Sequence, residues 1–375
     1  MMSLFQKDEL LDAARDLSKH YKIEDIYKKI LNHERLSIRE GEKLYAIENP
    51  LVLGSLAHIV RLRMHGLKTT YVINQHINYT NICENKCLFC SFYREKGEEG
   101  AFCLSLEDIE KKLIENMDQP ITEVHIVGGC HPDLGLDYYI EMLRLVRSIR
   151  PKAVLKCFTP VEIYHFSKKE GLSVEEVLKR LKEAGLDMLP GGGAEIFDTD
   201  IRKKICPNKI SGEKWLYVCE TAHKMGIKTN CTMLFGHIET IKERLDHLDR
   251  LRRLQDKTGG FLCFIPLPFQ IKNNKLKLTK KISGIEELKT IAISRLMLDN
   301  IPHIKSYWIM LGVKQAQTAL YFGADDFDGT VVEEKIGHMA GAESPMMLTR
   351  KEIEDMIKGC GFVPVQRNGF FERIS

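Results

Sequence analysis

The sequence predicts an α/β protein whose main part is a (β/α)8 barrel of the TIM type. Eight short apolar or β-branched segments alternate with helical patterns from residue 71 onward, which is typical of parallel strands joined by helices. A capping box, in which Ser or Thr is followed three residues later by Asp or Glu, stands at five of the expected helix starts. The chain of 375 residues can hold a barrel of about 250 residues with an extension at each end.

The predicted elements divide the chain into three parts. Amphipathic patterns at 8–17, 23–30 and 38–60 predict a helical extension over residues 1–66. The barrel is expected at 67–330, and residues 331–375 are expected to cap it with loops and one helix near 350–358. The predicted barrel strands cover residues 71–79, 123–127, 153–158, 187–189, 228–235, 260–266, 303–309 and 324–328. The predicted barrel helices cover residues 106–117, 135–149, 174–185, 212–225, 240–256, 284–299 and 313–322.

Composition and charge exclude several classes of protein. Hydrophobic residues make up 44% and charged residues 29% of the chain, which is ordinary for a globular protein and excludes disorder of the whole chain. The 55 basic and 52 acidic side chains are interleaved, so we expect no nucleic-acid partner. No apolar run is long enough to span a membrane and no secretory signal is visible, so we expect a cytoplasmic protein without a membrane partner.

Three of the eleven cysteines stand apart from the rest. Cys83, Cys87 and Cys90 have the spacing C-x3-C-x2-C in a loop that follows the first predicted strand. Thiolates this close together are costly unless a metal neutralises them, and soft sulfur ligands suit zinc or an iron–sulfur cluster. Three cysteines would leave one iron of a four-iron cluster open for a substrate. A structural zinc site would need a fourth ligand, for which Cys103 and His131 are candidates. Free thiols are the third alternative.

The pattern C-x3-C-x-Φ-C after the first strand of a barrel, where Φ is aromatic, resembles the radical S-adenosylmethionine (radical SAM) superfamily. The resemblance implies that the cysteine triplet holds a [4Fe–4S] cluster and that S-adenosylmethionine binds its open iron. It also implies that Phe89 lies beside the adenine. Gly128 and Gly129 would present backbone to the methionyl amino group, and Glu195 would hold the ribose or the amino end.

Several further segments resemble one group within this superfamily. The group contains aminofutalosine synthase, cyclic dehypoxanthine futalosine synthase and the synthases of the deazaflavin chromophore. Two segments, 128–133 and 303–312, most resemble the aminofutalosine synthases. The segments that resemble the group as a whole are 78–83, 126–133, 189–196, 233–240 and 328–334.

The resemblance to the aminofutalosine synthases implies a reaction. The 5′-deoxyadenosyl group of S-adenosylmethionine would add to 3-[(1-carboxyvinyl)oxy]benzoate, with aryl migration and loss of a carboxylate. The product would be 6-amino-6-deoxyfutalosine, on the futalosine route to menaquinone. A reducing electron donor such as flavodoxin or ferredoxin would be a partner.

The implied substrate carries two carboxylates, so its site needs cationic or hydrogen-bond donor groups. Arg94, His131, His237 and Lys305 stand near the carboxyl ends of predicted strands, where barrel enzymes place their sites. Each is a candidate for carboxylate binding, and each could instead have a structural role.

Two other functions stay open at this point. A sister synthase of the same group would abstract hydrogen from its substrate and release free 5′-deoxyadenosine. A metal-stabilised binding module would need a fourth protein ligand, with Cys103 as the first choice.

Overall fold

Seven parallel strands form one curled sheet at the centre of the computed structural model, which describes residues 4–278, 281–331 and 335–374. The strands follow one another in chain order, β2 to β8, and helices cover the outside of the sheet. This confirms the predicted α/β fold with a parallel, barrel-like sheet. The seven strands are β2 Asn74–Asn78, β3 Glu123–Val127, β4 Val154–Cys157, β5 Met188–Leu189, β6 Lys228–Phe235, β7 Phe261–Pro268 and β8 His303–Ile304.

A second, three-stranded parallel sheet contains the start of the first predicted strand and the eighth predicted strand. It has the order β10-β1-β9 and contains β1 Lys68–Val72, β9 Asp326–Gly329 and β10 Val363–Arg367. The first predicted strand is thus divided into β1 and β2, with Ile73 between them. The eighth predicted strand is β9, which pairs with β1. A single bridge between Lys305 and Asp326 links β8 to β9, so the two sheets meet there.

Two predictions for the last third of the chain need correction. The strand predicted at 303–309 ends at Ile304, and the end of the predicted range belongs to a short helix, Trp308–Leu311. The segment after residue 331 contains a strand, β10, where only loops and a helix were predicted. Its register pairs Lys68 with Val363 along β1, a contact that no local pattern in the sequence encodes.

The helices begin where the capping patterns place them. Serine or threonine caps with a reciprocal carboxylate are present at Ser105, Ser173 and Thr349. The prediction missed α7 and α9 completely. The helices are α1 Leu4–His20, α2 Glu24–Leu31, α3 Ile38–Tyr45, α4 Pro50–His65, α5 Leu106–Ile114, α6 Leu136–Ile149, α7 Pro160–Glu170, α8 Val174–Glu183, α9 Thr199–Ile205, α10 Gly212–Lys224, α11 Ile241–Thr258, α12 Gly284–Met297, α13 Trp308–Leu311, α14 Val313–Ala319, α15 Ile336–Met339 and α16 Arg350–Gly359.

The N-terminal helices pack on the outer face of the barrel helices. Leu53 and Leu56 of α4 are fully buried, and α4 lies against α12. Arg252 of α11 donates to Leu36 O (2.9 Å), which joins the extension to the barrel through a buried hydrogen bond. None of the described helices combines the length and apolar character that a membrane span needs. The boundaries between the three predicted parts of the chain, at residues 66 and 331, stay predictions.

Candidate active site

A cavity of about 320 Å³ opens at the carboxyl ends of the central strands. Loops after β2, β3 and β5 supply one wall, and β6 and β7 supply another. Ile336 and Ala340 of the C-terminal segment also line it. The cavity is where barrel enzymes carry their chemistry, because the loops at that end can vary without disturbing the sheet. Residues 332–334, which end the segment 328–334 that resembles the synthase group, lie outside the described residues.

All three cysteines of the predicted triplet line this cavity. The loop that carries them is held by its backbone. The Cys83 N–H donates to Arg94 O (3.2 Å) and the Cys90 N–H donates to Cys87 O (3.1 Å). Three soft sulfur donors at one cavity fit a cluster that leaves one iron free for a second ligand.

Neither predicted fourth ligand lines the cavity. Cys103 is exposed, and its thiol makes a long contact with Leu104 O (3.9 Å). The ring of His131 is occupied, since its Nδ1 accepts from the Asp133 N–H (3.1 Å). The binding-module hypothesis therefore loses the ligand on which it depended.

Two cysteines outside the predicted triplet lie beside it. The Cys130 N–H donates to Cys83 Sγ (3.4 Å), and the Cys130 thiol lowers the pKa of Cys83 to about 6. Contact with Cys87 likewise lowers the pKa of Cys206 to about 7. The position of Cys130 directly after Gly128-Gly129 was the one available signal. Cys206 lies far along the chain, and nothing in the sequence pointed to it.

The backbone at Gly128 and Gly129 has no room for side chains. A Cβ at Gly128 would lie 2.7 Å from the ring of Tyr79, and one at Gly129 would lie 2.3 Å from Ile82 O. Both glycines are therefore required by close packing behind the segment, while the segment itself lines the cavity. This placement is the one that the sequence predicts for a cofactor-binding segment.

Glu195 forms a buried ion pair that the sequence did not reveal. Its Oε1 lies 2.6 Å from Nζ of Lys209, and both residues line the cavity. The Lys209 ammonium also lies 5.1 Å from the ring centre of Phe89. Burial alone would lower the pKa of Lys209, but the thiol of Cys87 and the carboxylate of Glu195 outweigh it and raise that pKa.

Two further buried lysines line the cavity on its barrel side. Lys305 pairs with Asp328, and its Nζ lies 3.6 Å from Asp326 Oδ1. Lys156 pairs with Glu123. Burial lowers the pKa of Lys156. At Lys305, the two aspartates outweigh burial and raise the pKa. The sequence predicted Lys305 and missed Lys156, which lies within an apolar strand.

Arg94 and His237 are placed near the cavity loops but do not line the cavity. The Arg94 guanidinium donates to Ser91 O (3.1 Å) and Tyr93 O (2.8 Å), so it holds its own loop. The His237 ring lies 3.0 Å from Glu239 Oε2 and is fully buried. The structure thus brings Lys305 to the cavity and leaves Arg94, His131 and His237 in the surrounding loops.

Glu162 was also missed, although it lines the cavity. It is the third helical residue of α7, and its carboxylate closes a capping box with Thr159. Burial raises the pKa of Glu162 to about 7, against hydrogen bonds from Thr159 that lower it. The pattern Thr-Pro-x-Glu at 159–162 is a helix-start signal, so both α7 and this residue could have been found.

A curled parallel sheet with three cysteines at its carboxyl end defines a class, the radical SAM enzymes. The chain matches the model of the radical SAM superfamily over residues 77–251 and that of the CofH/MqnC C-terminal region over residues 258–374. This chain belongs to the radical SAM superfamily, in the family that includes the aminodeoxyfutalosine synthases.

Curated relatives match along almost their full length. The chain is 46% identical over 353 residues to an aminodeoxyfutalosine synthase of Thermus thermophilus, which covers 93% of this chain and 95% of the relative. An enzyme of the same name from Streptomyces coelicolor is 43% identical, with 93% of each chain covered. A cyclic dehypoxanthine futalosine synthase of Halalkalibacterium halodurans is 38% identical, with 94% and 95% covered. These findings confirm the predicted superfamily and group.

A solved structure supports the fold independently. The crystal structure of methylornithine synthase superposes with a TM-score of 0.74 at 18% identity, covering 90% of this chain and 96% of that one. The chain is accordingly a radical SAM enzyme that uses a [4Fe–4S] cluster and S-adenosylmethionine.

Proposed function

We propose that this chain is an aminodeoxyfutalosine synthase, the activity called aminofutalosine synthase above. It joins the 5′-deoxyadenosyl group of S-adenosylmethionine to 3-[(1-carboxyvinyl)oxy]benzoate, for the synthesis of menaquinone. The observation that carries the proposal is a single cavity that contains both the cysteine triplet and two buried lysines. The similarity to the Thermus enzyme, which extends over both family regions of the chain, supports the same activity.

The residues at the cavity fit the cofactors. Cys83, Cys87 and Cys90 would hold the cluster, which with S-adenosylmethionine supplies a carbon-centred adenosyl radical when both are bound. The Gly128-Gly129 segment lines the cavity and has no side chains of its own, which suits close approach of the cofactor to its backbone.

Lys156 and Lys305 suit a dianionic aromatic substrate. Both ammonium groups are buried, where a charge-assisted hydrogen bond to a carboxylate is stronger than in water. Before the substrate binds, the partners Glu123 and Asp328 compensate the charges of the two lysines. Apolar side chains such as Leu267 line the same cavity and can pack against an aryl ring.

Other parts of the chain keep water from the reacting groups. Ile336 and Ala340 cover the cavity from the C-terminal segment, and Phe269 covers it from the loop after β7. A closed apolar wall protects a reactive radical from solvent and stray hydrogen donors. We further propose a cytoplasmic location and a flavodoxin or ferredoxin as the electron donor, because cleavage of S-adenosylmethionine consumes one electron.

An anaerobic assay of the reconstituted protein tests the proposal. The protein is incubated with a reductant, S-adenosylmethionine and 3-[(1-carboxyvinyl)oxy]benzoate, and the products are read by mass spectrometry. We expect a product that joins the adenosyl and benzoate fragments, and we expect Cys87→Ala to abolish it. Cleavage of S-adenosylmethionine without a joined product would contradict the proposed substrate.

A further inference from the structure

The carboxylate of Glu162 connects three parts of the cavity wall that are far apart in the chain. Its Oε1 accepts from the Tyr79 hydroxyl (2.7 Å) and from the Gly128 N–H (3.1 Å). Its Oε2 accepts from the N–H and the hydroxyl of Thr159, each at 2.7 Å. One oxygen therefore caps α7, and the other holds the glycine segment that lines the cavity.

The neighbouring amides of that segment are also occupied. The Gly129 N–H donates to Thr80 O (2.9 Å), and the Cys130 N–H donates to Cys83 Sγ (3.4 Å). The ring of Tyr79 packs directly behind Gly128. Within residues 4–278, 281–331 and 335–374, no donor is recorded for the Gly128 carbonyl. This carbonyl is the acceptor that the segment leaves available at the cavity.

We propose that Glu162 is a positioning residue for S-adenosylmethionine: by holding the Gly128 N–H, it fixes the position of Gly128, the residue whose carbonyl accepts the ammonium group of the methionine part. An ammonium group is a donor only, so it requires such acceptors. The proposal rests on the use of S-adenosylmethionine by the superfamily and is independent of the proposed substrate.

The arrangement is complete only with the ionised carboxylate of Glu162, which at a pKa of about 7 predominates above neutral pH. Four donor groups converge on its two oxygens, and both oxygens must accept. A glutamine has one acceptor oxygen, so its amide nitrogen would face either the Thr159 or the Gly128 N–H. Either outcome loses hydrogen bonds in a buried site, where an unsatisfied donor is costly.

Affinity for S-adenosylmethionine, measured by anaerobic equilibrium dialysis without substrate, tests the proposal. We expect Glu162→Gln to weaken binding about tenfold, the size that loss of one hydrogen bond to a charged group produces. Iron content should stay at the wild-type level. The matched control is Glu176→Gln, which breaks the same kind of cap at the exposed N-terminus of α8, away from the cavity, and should bind normally.

A second variant keeps the test decisive if Glu162→Gln folds poorly. Glu162→Asp retains the charge, and the pair Ser105–Asp108 shows that this chain can close a helix cap with aspartate. The shorter side chain should keep the cap and lose Gly128, so the variant should fold and also bind S-adenosylmethionine more weakly. Wild-type affinity in the folded Glu162 variants, or an equal loss in Glu176→Gln, would overturn the proposal. A wrong substrate assignment would leave these results unchanged.

Discussion

Buried charged groups stand at both ends of the parallel strands, but only those at the carboxyl end line the cavity. At the amino end, Arg295 donates to Gly323 O (2.9 Å), to Pro302 O (3.1 Å) and to Asp325. The Arg61 guanidinium likewise donates to several buried acceptors, among them Ala324 O (3.1 Å). This end is not fully satisfied, since Glu123 Oε2 and Arg150 Nε are buried among the described residues without a hydrogen-bond partner, but neither residue lines the cavity.

At the carboxyl end, buried acceptor atoms without a hydrogen-bond partner belong to residues of the cavity itself. Among the residues that the structure describes, Asp328 Oδ2 and Asn230 Oδ1 are buried without a partner, and both residues line the cavity. Lone buried acceptors are costly, and natural proteins tolerate them mainly where a ligand or water completes them. The comparison teaches that burial and charge alone do not mark a site. Incomplete pairing beside a cavity does.

The buried carboxylates of the two ends titrate in opposite directions. Burial would raise the pKa of Asp325, but His303 and Arg295 outweigh it and lower that pKa. At Glu162 no cation offsets burial, and the pKa rises to about 7. The cations beside Asp325 and their absence beside Glu162 account for the opposite directions of the two pKa shifts.

The largest expected effect is loss of the cluster from the carboxyl end. Cys87→Ala should lose iron and all cleavage of S-adenosylmethionine, because two remaining cysteines cannot replace the third ligand. Cys103→Ala is the matched control, since Cys103 is exposed and does not line the cavity. Iron analysis and the visible spectrum check both variants. Equal iron loss in the two would mean that Cys103 is a ligand.

The next effect concerns stability at the amino end. Arg295→Met removes the buried guanidinium that pairs with Asp325 and leaves the His303 ring to compensate that carboxylate, so we expect a loss of about 3–5 kcal/mol in the free energy of unfolding. Denaturant unfolding of the cluster-free protein measures it. The fraction that remains folded should bind S-adenosylmethionine as the wild type does. A large loss of affinity would show that the two ends are coupled.

A smaller effect is expected at Lys305, one of the two lysines proposed to bind the substrate. Lys305→Gln should raise KM for the proposed substrate by roughly thirtyfold, equivalent to about 2 kcal/mol, because one carboxylate loses its charged donor. The affinity for S-adenosylmethionine should not change.

The double variant Lys305→Gln with Asp328→Asn removes both charges of the pair. It should recover the stability that the single change loses, since no buried charge is left unpaired. It should not recover KM. If KM returns to the wild-type value, Lys305 acts only by compensating Asp328.

The smallest effect is a pH dependence of stability that arises from Glu162. Its folded pKa, about 7, lies above its value in the unfolded chain. The stability that it contributes is present below the unfolded pKa and is lost as pH rises through 7. Relative to Glu162→Gln, the wild type should lose about 1–3 kcal/mol of unfolding free energy between pH 5 and pH 8. Parallel curves would contradict the raised pKa.

Much of the fold and of the cofactor site was predictable because it depends on local signals. The cysteine spacing, the glycine pair and the capping boxes are all read within a few residues. The same holds for the boundaries of β3 and β6, which match the predicted ranges.

The rest depends on contacts between distant segments. β10 is a strand because β1 lies beside it, and Lys209 reaches Glu195 because a loop returns to the cavity. His237 shows the reverse error. Its position near a strand end suggested substrate binding, but Leu234 O and the Ile238 N–H, both close in the chain, occupy its two ring nitrogens.

The central claim is that the cavity joins the adenosyl group to a dianionic aryl substrate. The most direct measurement follows S-adenosylmethionine labelled with carbon-13 in its ribose through a single reduced turnover with 3-[(1-carboxyvinyl)oxy]benzoate. Our account predicts that the label is recovered in the joined product, with little free 5′-deoxyadenosine. Recovery of the label as free 5′-deoxyadenosine would contradict it and would assign the cavity to a hydrogen-abstracting sister reaction.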